Sequence, residues 1–185
     1  MKNIYIVGVP RSGKSTLARL IKKSYPIYNQ LSFEAIRNGF IESQPELNME
    51  NRNSEARDKI LPLHIVTLAH WNKEILGAPS LIEGDFTTVE KLKSLTSEDD
   101  EIICLGLGVR PIEEIIGGIK SNDRESDYTK NWSEEKMKKH FYDLVQKDEN
   151  NYNFCKNNGI KYFDTYSNRM EVFDEIIRHI SADNK

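Results

Sequence analysis

The sequence predicts an α/β protein, a three-layer sandwich in which a five-stranded parallel sheet lies between two layers of helices. Two observations predict this fold class. Short apolar runs lack the alternation of a half-exposed strand, as expected for strands that are buried on both faces of a parallel sheet. Segments with helical periodicity separate these runs along the chain, so that strand and helix alternate.

Five segments are predicted to form the strands. Four are apolar runs at positions 4–7, 81–82, 102–107 and 160–163, and a weaker candidate lies at 31–33. Helical periodicity covers positions 15–23, 34–41, 54–76, 88–95, 111–119, 133–157 and 169–180. Pro62 lies inside the segment 54–76, where it either kinks one helix or occupies the first turn of a second helix.

The bulk composition is typical of a soluble globular protein without a general attraction for polyanions. The chain has 185 residues, of which 38% are hydrophobic and 30% charged, and its formal net charge is −3. No apolar run approaches the roughly 20 residues that cross a bilayer, and the first strand begins too early for a signal peptide. Because no repeat or linker interrupts the chain, we expect one domain at 1–185, cytoplasmic, monomeric or homodimeric, with no nucleic acid or membrane partner.

The first predicted strand runs directly into the segment GVPRSGKS at residues 8–15. This segment matches the phosphate-binding pattern G-x(4)-G-K-[ST], and a chance match in a chain of this length has a probability of roughly 1%. Glycines at both ends allow the backbone to curl so that successive N–H groups point at one anion. Lys14 would place positive charge against the β- and γ-phosphates, and Ser15 would offer a hydroxyl to Mg²⁺.

The motif therefore predicts a binding site for ATP and Mg²⁺ at the start of a helix, whose free N–H groups add a favourable dipole. The predicted nucleotide-binding residues of this loop are Gly8, Pro10, Arg11, Ser12, Gly13, Lys14, Ser15 and Thr16.

At this motif the chain resembles the P-loop kinases of small molecules, the group that includes adenylate kinase, gluconate kinase and shikimate kinase. Pro10 is similar to the proline of the adenylate kinase loop, G-x-P-x-x-G-K, whereas Arg11 replaces the glycine that is usual there. The resemblance covers nearly the whole chain in the order of its elements and short patches in its residues. It implies the P-loop nucleoside triphosphate hydrolase fold, with a LID-like insertion at about 109–132 and an acceptor-binding helical region at about 34–76.

A second patch, LIEGDF at residues 81–86, ends another predicted strand. Glu83 at this strand end suits a carboxylate that holds Mg²⁺ through water, because ligands collect at the carboxyl edge of parallel sheets. The patch resembles the L-D-G-F-P-R segment of adenylate kinases, which implies that Asp85 faces the acceptor and takes part in catalysis. The arginine that binds AMP in that family is missing after Phe86, so adenylate kinase activity itself is not predicted. Both acids are alternatively ordinary strand-end residues.

A third patch, SFEAIR at residues 32–37, resembles the D-x-x-R segment by which several of these kinases contact the acceptor. The resemblance implies that Glu34 acts as general base or orients the acceptor hydroxyl, and that Arg37 binds the acceptor. Their spacing of three residues is also that of an ordinary surface pair on a helix. Arg52 and Arg57 are weaker substrate-binding candidates, for which exposure to solvent is the simpler expectation.

The polar segment 122–132, NDRESDYTKNW, breaks the helical periodicity and is either a surface loop or a flap over a ligand. Its Arg124 is similar in position to the LID arginines of these kinases, which implies a catalytic role in neutralising the transferred phosphoryl group. Arg110 follows the fourth strand and is a further candidate for contact with the nucleotide phosphates. After the last strand, Thr165 and Ser167 either border the adenine ring or cap the next helix.

The sequence thus predicts an ATP- and Mg²⁺-dependent phosphotransferase acting on a small-molecule acceptor, which could be a nucleotide or a phosphorylated metabolite. Catalysis is assigned to Lys14, Arg124, Glu34 and Asp85, the acceptor to Glu34, Arg37 and Asp85, and the metal to Ser15 and Glu83. The alternative is a nucleotide-binding switch or regulatory protein that hydrolyses nucleoside triphosphates slowly. No N-K-x-D sequence that would read guanine is found in the chain, which argues against a GTPase.

Overall fold

Five parallel strands form a sheet at the centre of the protein, which confirms the predicted fold class. The computed structural model describes residues 1–51, 54–85, 88–121, 125 and 129–183, with side chains up to 181. The strands are β1 (Asn3–Gly8), β2 (Asn29–Ser32), β3 (Ser80–Glu83), β4 (Asp100–Gly106) and β5 (Lys161–Asp164), in the spatial order β2-β3-β1-β4-β5. The first strand therefore lies in the middle of the sheet, between β3 and β4.

Helices cover the predicted periodic segments, with ends that differ by one to a few residues. They are α1 (Lys14–Ser24), α2 (Phe33–Ser43), α3 (Leu61–Leu76), α4 (Val89–Lys93), α5 (Ile112–Ser121), α6 (Glu134–Asn157) and α7 (Arg169–Asp183). Phe33, which we placed in the second strand, is instead the first residue of α2, because the Ser32 hydroxyl accepts a hydrogen bond from the Ala35 N–H and caps the helix there.

The central strand shows why the sheet needs helices on both sides. Ile4 and Ile6 point to one face, where they pack with α1 and α7, and Tyr5 and Val7 point to the other face, where they pack with α3. All four side chains are buried. A strand whose odd and even residues are both apolar is stable only when both faces are covered, and this gives the three layers.

The prediction for Pro62 gave two alternatives, and the structure combines them. A π-helical turn, Ala56–Ile60, leads without a break into α3, and Pro62 is the second residue of the α-helical part. Proline has no N–H to donate and its ring collides with the carbonyl four residues earlier in a regular α-helix. The wider turn before Pro62 accommodates that ring, so the helix continues with a change of winding.

The strand register brings the carboxyl ends of all five strands together at one edge of the sheet. Ile6 of β1 is level with Glu83 of β3, and Gly8 is level with Leu105 of β4. On the outer strands, Ser32 is level with Glu83 and Gly106 with Asp164. The loops that follow these residues therefore converge at the carboxyl edge, where ligands bind in parallel α/β sheets.

Helix α3 buries one apolar face against the sheet and leaves large apolar side chains exposed on the other, at Leu63, Leu68, Trp71, Ile75 and Leu76. None of the helices in the described part of the chain combines the length and the hydropathy that a membrane crossing requires.

Candidate functional site

The loop between β1 and α1 has a shape that two glycines make possible. Gly8 has φ 133°, and a Cβ atom added there would lie 1.8 Å from the carbonyl oxygen of Leu105 on the neighbouring strand. Gly13 has φ 91°, and a Cβ atom there would lie 2.8 Å from the Phe173 ring of α7. Gly13 provides no side-chain cap for α1, so the first N–H groups of that helix have no side-chain acceptor and suit an anion.

Thr165, in the connection between β5 and α7, and Arg169, the first residue of α7, hold the outer part of the loop in place. The buried Thr165 hydroxyl lies 2.8 Å from the Ser12 carbonyl oxygen and 2.9 Å from that of Gly106. The Arg169 guanidinium donates to the Arg11 carbonyl oxygen at 3.1 Å. These contacts fix the carbonyl groups on the outside of the loop, and Arg11 has the left-handed φ of 73° at this point. The sequence left a helix cap or a contact with the base open for Thr165, and the structure shows its hydroxyl in contact with the phosphate loop.

Lys14 lies across the inside of the loop. Its ammonium group donates to the carbonyl oxygens of Gly8 at 3.2 Å and Val9 at 2.9 Å. Burial lowers the pKa of Lys14, whereas the nearby carboxylates of Asp85, Glu34 and Glu83 act in the opposite direction. An ammonium group held in a partly buried position by two uncharged carbonyl acceptors can exchange them for charged phosphate oxygens, which form stronger hydrogen bonds with a cation.

Ser15 and Glu83, the two predicted metal residues, lie in direct contact. The Ser15 hydroxyl donates to Glu83 Oε2 at 2.8 Å, and Glu83 is only 7% exposed. Both are oxygen donors of the kind that Mg²⁺ prefers, and both border the phosphate loop, so the residues fit this ion. Within the residues that the structure describes, no group of three or more His, Cys, Asp or Glu side chains could hold a metal alone. A cation here would therefore depend on phosphate oxygens as well.

Glu34 and Asp85, two of the predicted acceptor-binding residues, are joined by a hydrogen bond. Glu34 Oε1 accepts a hydrogen bond from the Asp85 backbone N–H at 2.9 Å. Gly84 allows this approach, because a Cβ atom there would lie 2.3 Å from Phe33 Cβ and 2.8 Å from Glu34 Oε2. The first turn of α2 and the end of β3 are thereby joined, and two carboxylates from separate patches of the sequence lie beside the phosphate loop.

The sequence did not indicate the partner of Asp85. Lys147 of α6 contacts Asp85 Oδ1 with its ammonium group at 2.7 Å, and both side chains are largely buried, with 25% and 15% exposure. The same lysine is one of the charges that act on Lys14 and lowers its pKa. A lysine in the middle of a 24-residue amphipathic helix has no local feature that distinguishes it from the other lysines, so only the tertiary structure shows its role.

The remaining acceptor candidates are less closely connected to the loop. The Arg37 guanidinium donates to the side-chain oxygen of its neighbour Asn38. Arg57 was expected to be exposed, and this expectation is wrong: it is 5% exposed, and its guanidinium donates to the Glu50 carbonyl oxygen at 3.3 Å. The π-helical turn before Pro62 carries Arg57 to this inward position. Arg52 lies outside the described residues.

Arg110 joins two loops at the carboxyl edge. Its guanidinium donates to the Leu107 carbonyl oxygen at 2.8 Å and to Asp164 at 2.6 Å, and it lies over the Tyr166 ring at 4.6 Å from the centroid. Glu114 provides a second carboxylate at 3.0 Å. The structure thus places Arg110 in a neighbouring cavity with Glu114 and Asp164, which engage its charge, and Arg110 meets the phosphate cleft through Tyr166. Arg124, the predicted catalytic arginine, lies outside the described residues, so its role stays a prediction.

A cleft of about 380 Å³ opens above the phosphate loop, which is large enough for part of a nucleotide. Besides Arg11 and the residues 13–16 of the loop, its lining comprises Leu107, Gly118, Ile119, Tyr166 and Arg169. The sequence reasoning missed these last five residues as site residues. The only signal available was the position of Tyr166 and Arg169 just after the last strand, at the edge where ligands collect.

A buried carboxylate supports the end of β4. Asp148 of α6 accepts a hydrogen bond from the Leu107 N–H at 2.7 Å and another from the Tyr162 hydroxyl at 3.0 Å. The Tyr162 hydroxyl in turn accepts from the Gly108 N–H at 3.1 Å. Burial raises the pKa of Asp148 to about 6, although the hydrogen bonds from Leu107 and Tyr162 lower it. One helix, α6, thus supports the strand end beside the cleft through Asp148 and contacts Asp85 through Lys147.

Comparison of this architecture with solved structures finds shikimate kinases. The enzyme from Aquifex aeolicus has a TM-score of 0.58 at 16% identity, with 98% of each chain covered. The enzyme from Bacteroides thetaiotaomicron has a TM-score of 0.59 at 11% identity, over 98% of this chain and 97% of the other. The enzyme from Acinetobacter baumannii, solved in complex with shikimate, has a TM-score of 0.61 at 13% identity, over 99% of this chain and 94% of the other.

The chain therefore has the fold of the P-loop small-molecule kinases, as the resemblance in its motifs predicted. No protein-family model and no curated protein matches its sequence. At these levels of identity, the likeness to the shikimate kinases is one of fold.

Proposed function

We propose that the protein is an ATP- and Mg²⁺-dependent phosphotransferase that phosphorylates a small-molecule acceptor. One observation carries this proposal: the phosphate loop with Lys14, the Ser15–Glu83 pair, and the carboxylates of Glu34 and Asp85 meet at one edge of the sheet. This arrangement provides a phosphate donor site, a metal-compatible pair and an acid–base group within one site, which phosphoryl transfer to a hydroxyl requires.

In the nucleotide complex, Lys14 exchanges the carbonyl groups of Gly8 and Val9 for the β- and γ-phosphate oxygens. The first N–H groups of α1 donate to the same phosphates. Ser15 and Glu83 would hold Mg²⁺, which when bound would neutralise charge on the phosphate oxygens. These contacts use the predicted phosphate-binding residues of the loop, which lie between Gly8 and Thr16.

The base of the nucleotide has a ready contact surface in the pair Tyr166 and Arg110. Tyr166 lines the cleft, and the Arg110 guanidinium carbon lies 4.6 Å from the centroid of its ring. An aromatic ring and a guanidinium group arranged in this way are suited to stack on a purine. We assign this pair to contact with the adenine ring. Arg110 would then bind the nucleotide through its base and not through its phosphates.

On the acceptor side, Glu34 or Asp85 orients the attacking hydroxyl and accepts its proton. Arg124, from the LID-like segment, neutralises the transferred group when that segment covers the site, and the covered site excludes water. Arg37 is the candidate for contact with the distal part of the acceptor.

The experiment is a measurement of ADP release from MgATP with and without a panel of hydroxyl-bearing metabolites. We expect at least one acceptor to increase ADP release well above the rate with water alone. Lys14→Ala should reduce this turnover at least 10³-fold without loss of folding, because the variant lacks the ammonium group that contacts the phosphates. Lys23→Ala, an exposed charge removal on the same helix, is the matched control and should keep wild-type activity.

Slow hydrolysis that no acceptor stimulates would instead indicate a nucleotide-dependent switch. Unchanged turnover in Lys14→Ala would contradict the assigned site.

A further inference from the structure

The charge of the acceptor site indicates which class of compound it takes. Among the described residues, the charged groups that act on Lys14 are the carboxylates of Asp85, Glu34 and Glu83 and one cation, Lys147. Glu34 lies in α2, Lys147 lies in α6, and Glu83 and Asp85 lie at and just after the end of β3, so the fold brings these charges together from three separate parts of the chain.

Binding of MgATP would engage Lys14 and Glu83, so that these two groups would not contact the acceptor. Lys14 contacts the phosphates, and Glu83 is occupied with Ser15 and the metal. The charged groups that remain beside Lys14 for the acceptor are Glu34, Asp85 and Lys147, two carboxylates and one ammonium. The guanidinium of Arg37, the candidate for the distal part of the acceptor, donates to Asn38 and is not among the charges that act on Lys14.

The charge of Lys147 is already compensated. Its ammonium group lies 2.7 Å from Asp85 Oδ1, and both side chains are mostly removed from solvent, so their mutual attraction is weakly screened. An anionic group that approached Lys147 would meet Asp85 in the same place and Glu34 next to it, whose carboxylate contacts the Asp85 backbone. Like charges placed together in this way disfavour anionic partners.

We propose that the acceptor is an uncharged or positively charged hydroxyl compound, a polyol or an amino-polyol, and that Glu34 and Asp85 bind it. This inference rests on the proposed phosphotransferase function and narrows its acceptor class, excluding carboxylate and phosphate acceptors. In the reaction, the bond between the γ-phosphorus and the β,γ-bridging oxygen of ATP breaks as a bond from the acceptor oxygen to that phosphorus forms. The hydroxyl proton passes to a carboxylate and then to water, and the products are ADP and a phosphate monoester.

The first arm of the test compares acceptors of different charge. ADP release is measured with polyols (glucitol, inositol), amino-polyols (glucosamine, 2-deoxystreptamine), hydroxy carboxylates (gluconate, shikimate) and a sugar phosphate (glucose 6-phosphate). We expect the best uncharged or cationic compound to exceed every anionic compound at least tenfold in kcat/KM. An anionic compound as the best acceptor, or no stimulation by any uncharged or cationic compound, overturns the inference.

The second arm changes the charges of the ion pair. Asp85→Asn should lower the ratio of kcat/KM for the best amino-polyol to that for the best polyol at least tenfold, whereas Lys147→Gln should raise this ratio. The ratio cancels any loss of proton transfer that affects both acceptors equally. Asp99→Asn, an exposed carboxylate at the opposite edge of the sheet, should leave it unchanged. The same direction of change in both site variants contradicts the inference, and thermal melting verifies that each variant is folded.

Calorimetry with MgATP separates this inference from the proposed function. A wild-type protein that binds no MgATP would refute the phosphotransferase proposal. A protein that binds MgATP and prefers anionic acceptors would refute only the acceptor class.

Discussion

At the scale of single residues, Gly8 shows how little freedom the phosphate loop allows. Gly8→Ala would place a methyl group 1.8 Å from the Leu105 carbonyl oxygen, in a backbone conformation that L-residues rarely adopt. Because that carbonyl belongs to the neighbouring central strand, neither group can move away without opening the sheet. We expect a loss of at least about 3 kcal/mol in the free energy of unfolding, measured by urea denaturation.

Gly39→Ala is the matched control, because Gly39 lies inside α2 with no heavy atom within 4 Å of an added Cβ atom. There the same substitution should raise stability by about 0.5–1 kcal/mol. A Gly8→Ala protein as stable as the wild type would show that the strand end is not packed as described.

The Asp148 carboxyl predicts a pH dependence of stability. Its pKa is raised in the folded protein from 3.8 to about 6, mainly by burial, so the folded state binds this proton more tightly than the unfolded state does. The resulting stabilisation is complete below about pH 4 and is lost as the pH rises through about 6. Relative to Asp148→Asn, the wild type should therefore lose about 2–3 kcal/mol of unfolding free energy from pH 4 to pH 7.

Urea titrations at several pH values measure this difference. Asp143→Asn removes an exposed carboxyl of the same helix and should follow the wild-type curve. Parallel curves for the wild type and Asp148→Asn would contradict the raised pKa.

At the scale of elements, the connection from β5 to α7 acts as a support for the phosphate loop. Thr165→Val removes the hydroxyl that binds the Ser12 and Gly106 carbonyl oxygens and leaves the side-chain volume nearly unchanged. We expect a loss of about 1–2 kcal/mol in stability, together with weaker MgATP binding in calorimetry, because the loop loses an anchor. Thr67→Val, on the exposed face of α3, should change neither quantity. Wild-type nucleotide affinity in Thr165→Val would show that the loop keeps its shape without this support.

Helix α6 illustrates what element prediction could and could not supply. Its extent was evident from the sequence as a periodic segment at 133–157, and the structure adds that Ser133 caps the helix. The contacts of Lys147 and Asp148 with separate loops were not evident, because they depend on where the helix crosses the sheet. Adjacent residues of a helix point about 100° apart, so one crossing can serve both loops.

At the scale of the whole molecule, nucleotide binding is expected to stabilise the fold, because the site is built from loops that only the folded sheet brings together. MgATP at about 100 times its dissociation constant should add about 2.7 kcal/mol, which corresponds to a rise of roughly 5–10 °C in Tm for a chain of this size. Lys14→Ala should show little or no rise, whereas Lys23→Ala should respond as the wild type does. An unchanged Tm for the wild type in saturating MgATP would contradict nucleotide binding.

The sequence by itself determined the strand–helix alternation, the phosphate loop with Lys14 and Ser15, and the strand-end acid Glu83, whereas Glu34 and Asp85 were indicated by the resemblance to the P-loop kinases. These features are local: apolar runs, glycine spacing and acids at strand ends depend on neighbours in the chain, and short-range chemistry reveals them.

The tertiary structure decided the rest. The Lys147–Asp85 pair joins residues 62 positions apart, and the Thr165–Ser12 contact joins residues 153 positions apart. The burial of Arg57 likewise follows from helix packing and not from its neighbours in sequence. Such contacts exist only after strand order and helix crossings are set, because these place distant side chains at one edge of the sheet.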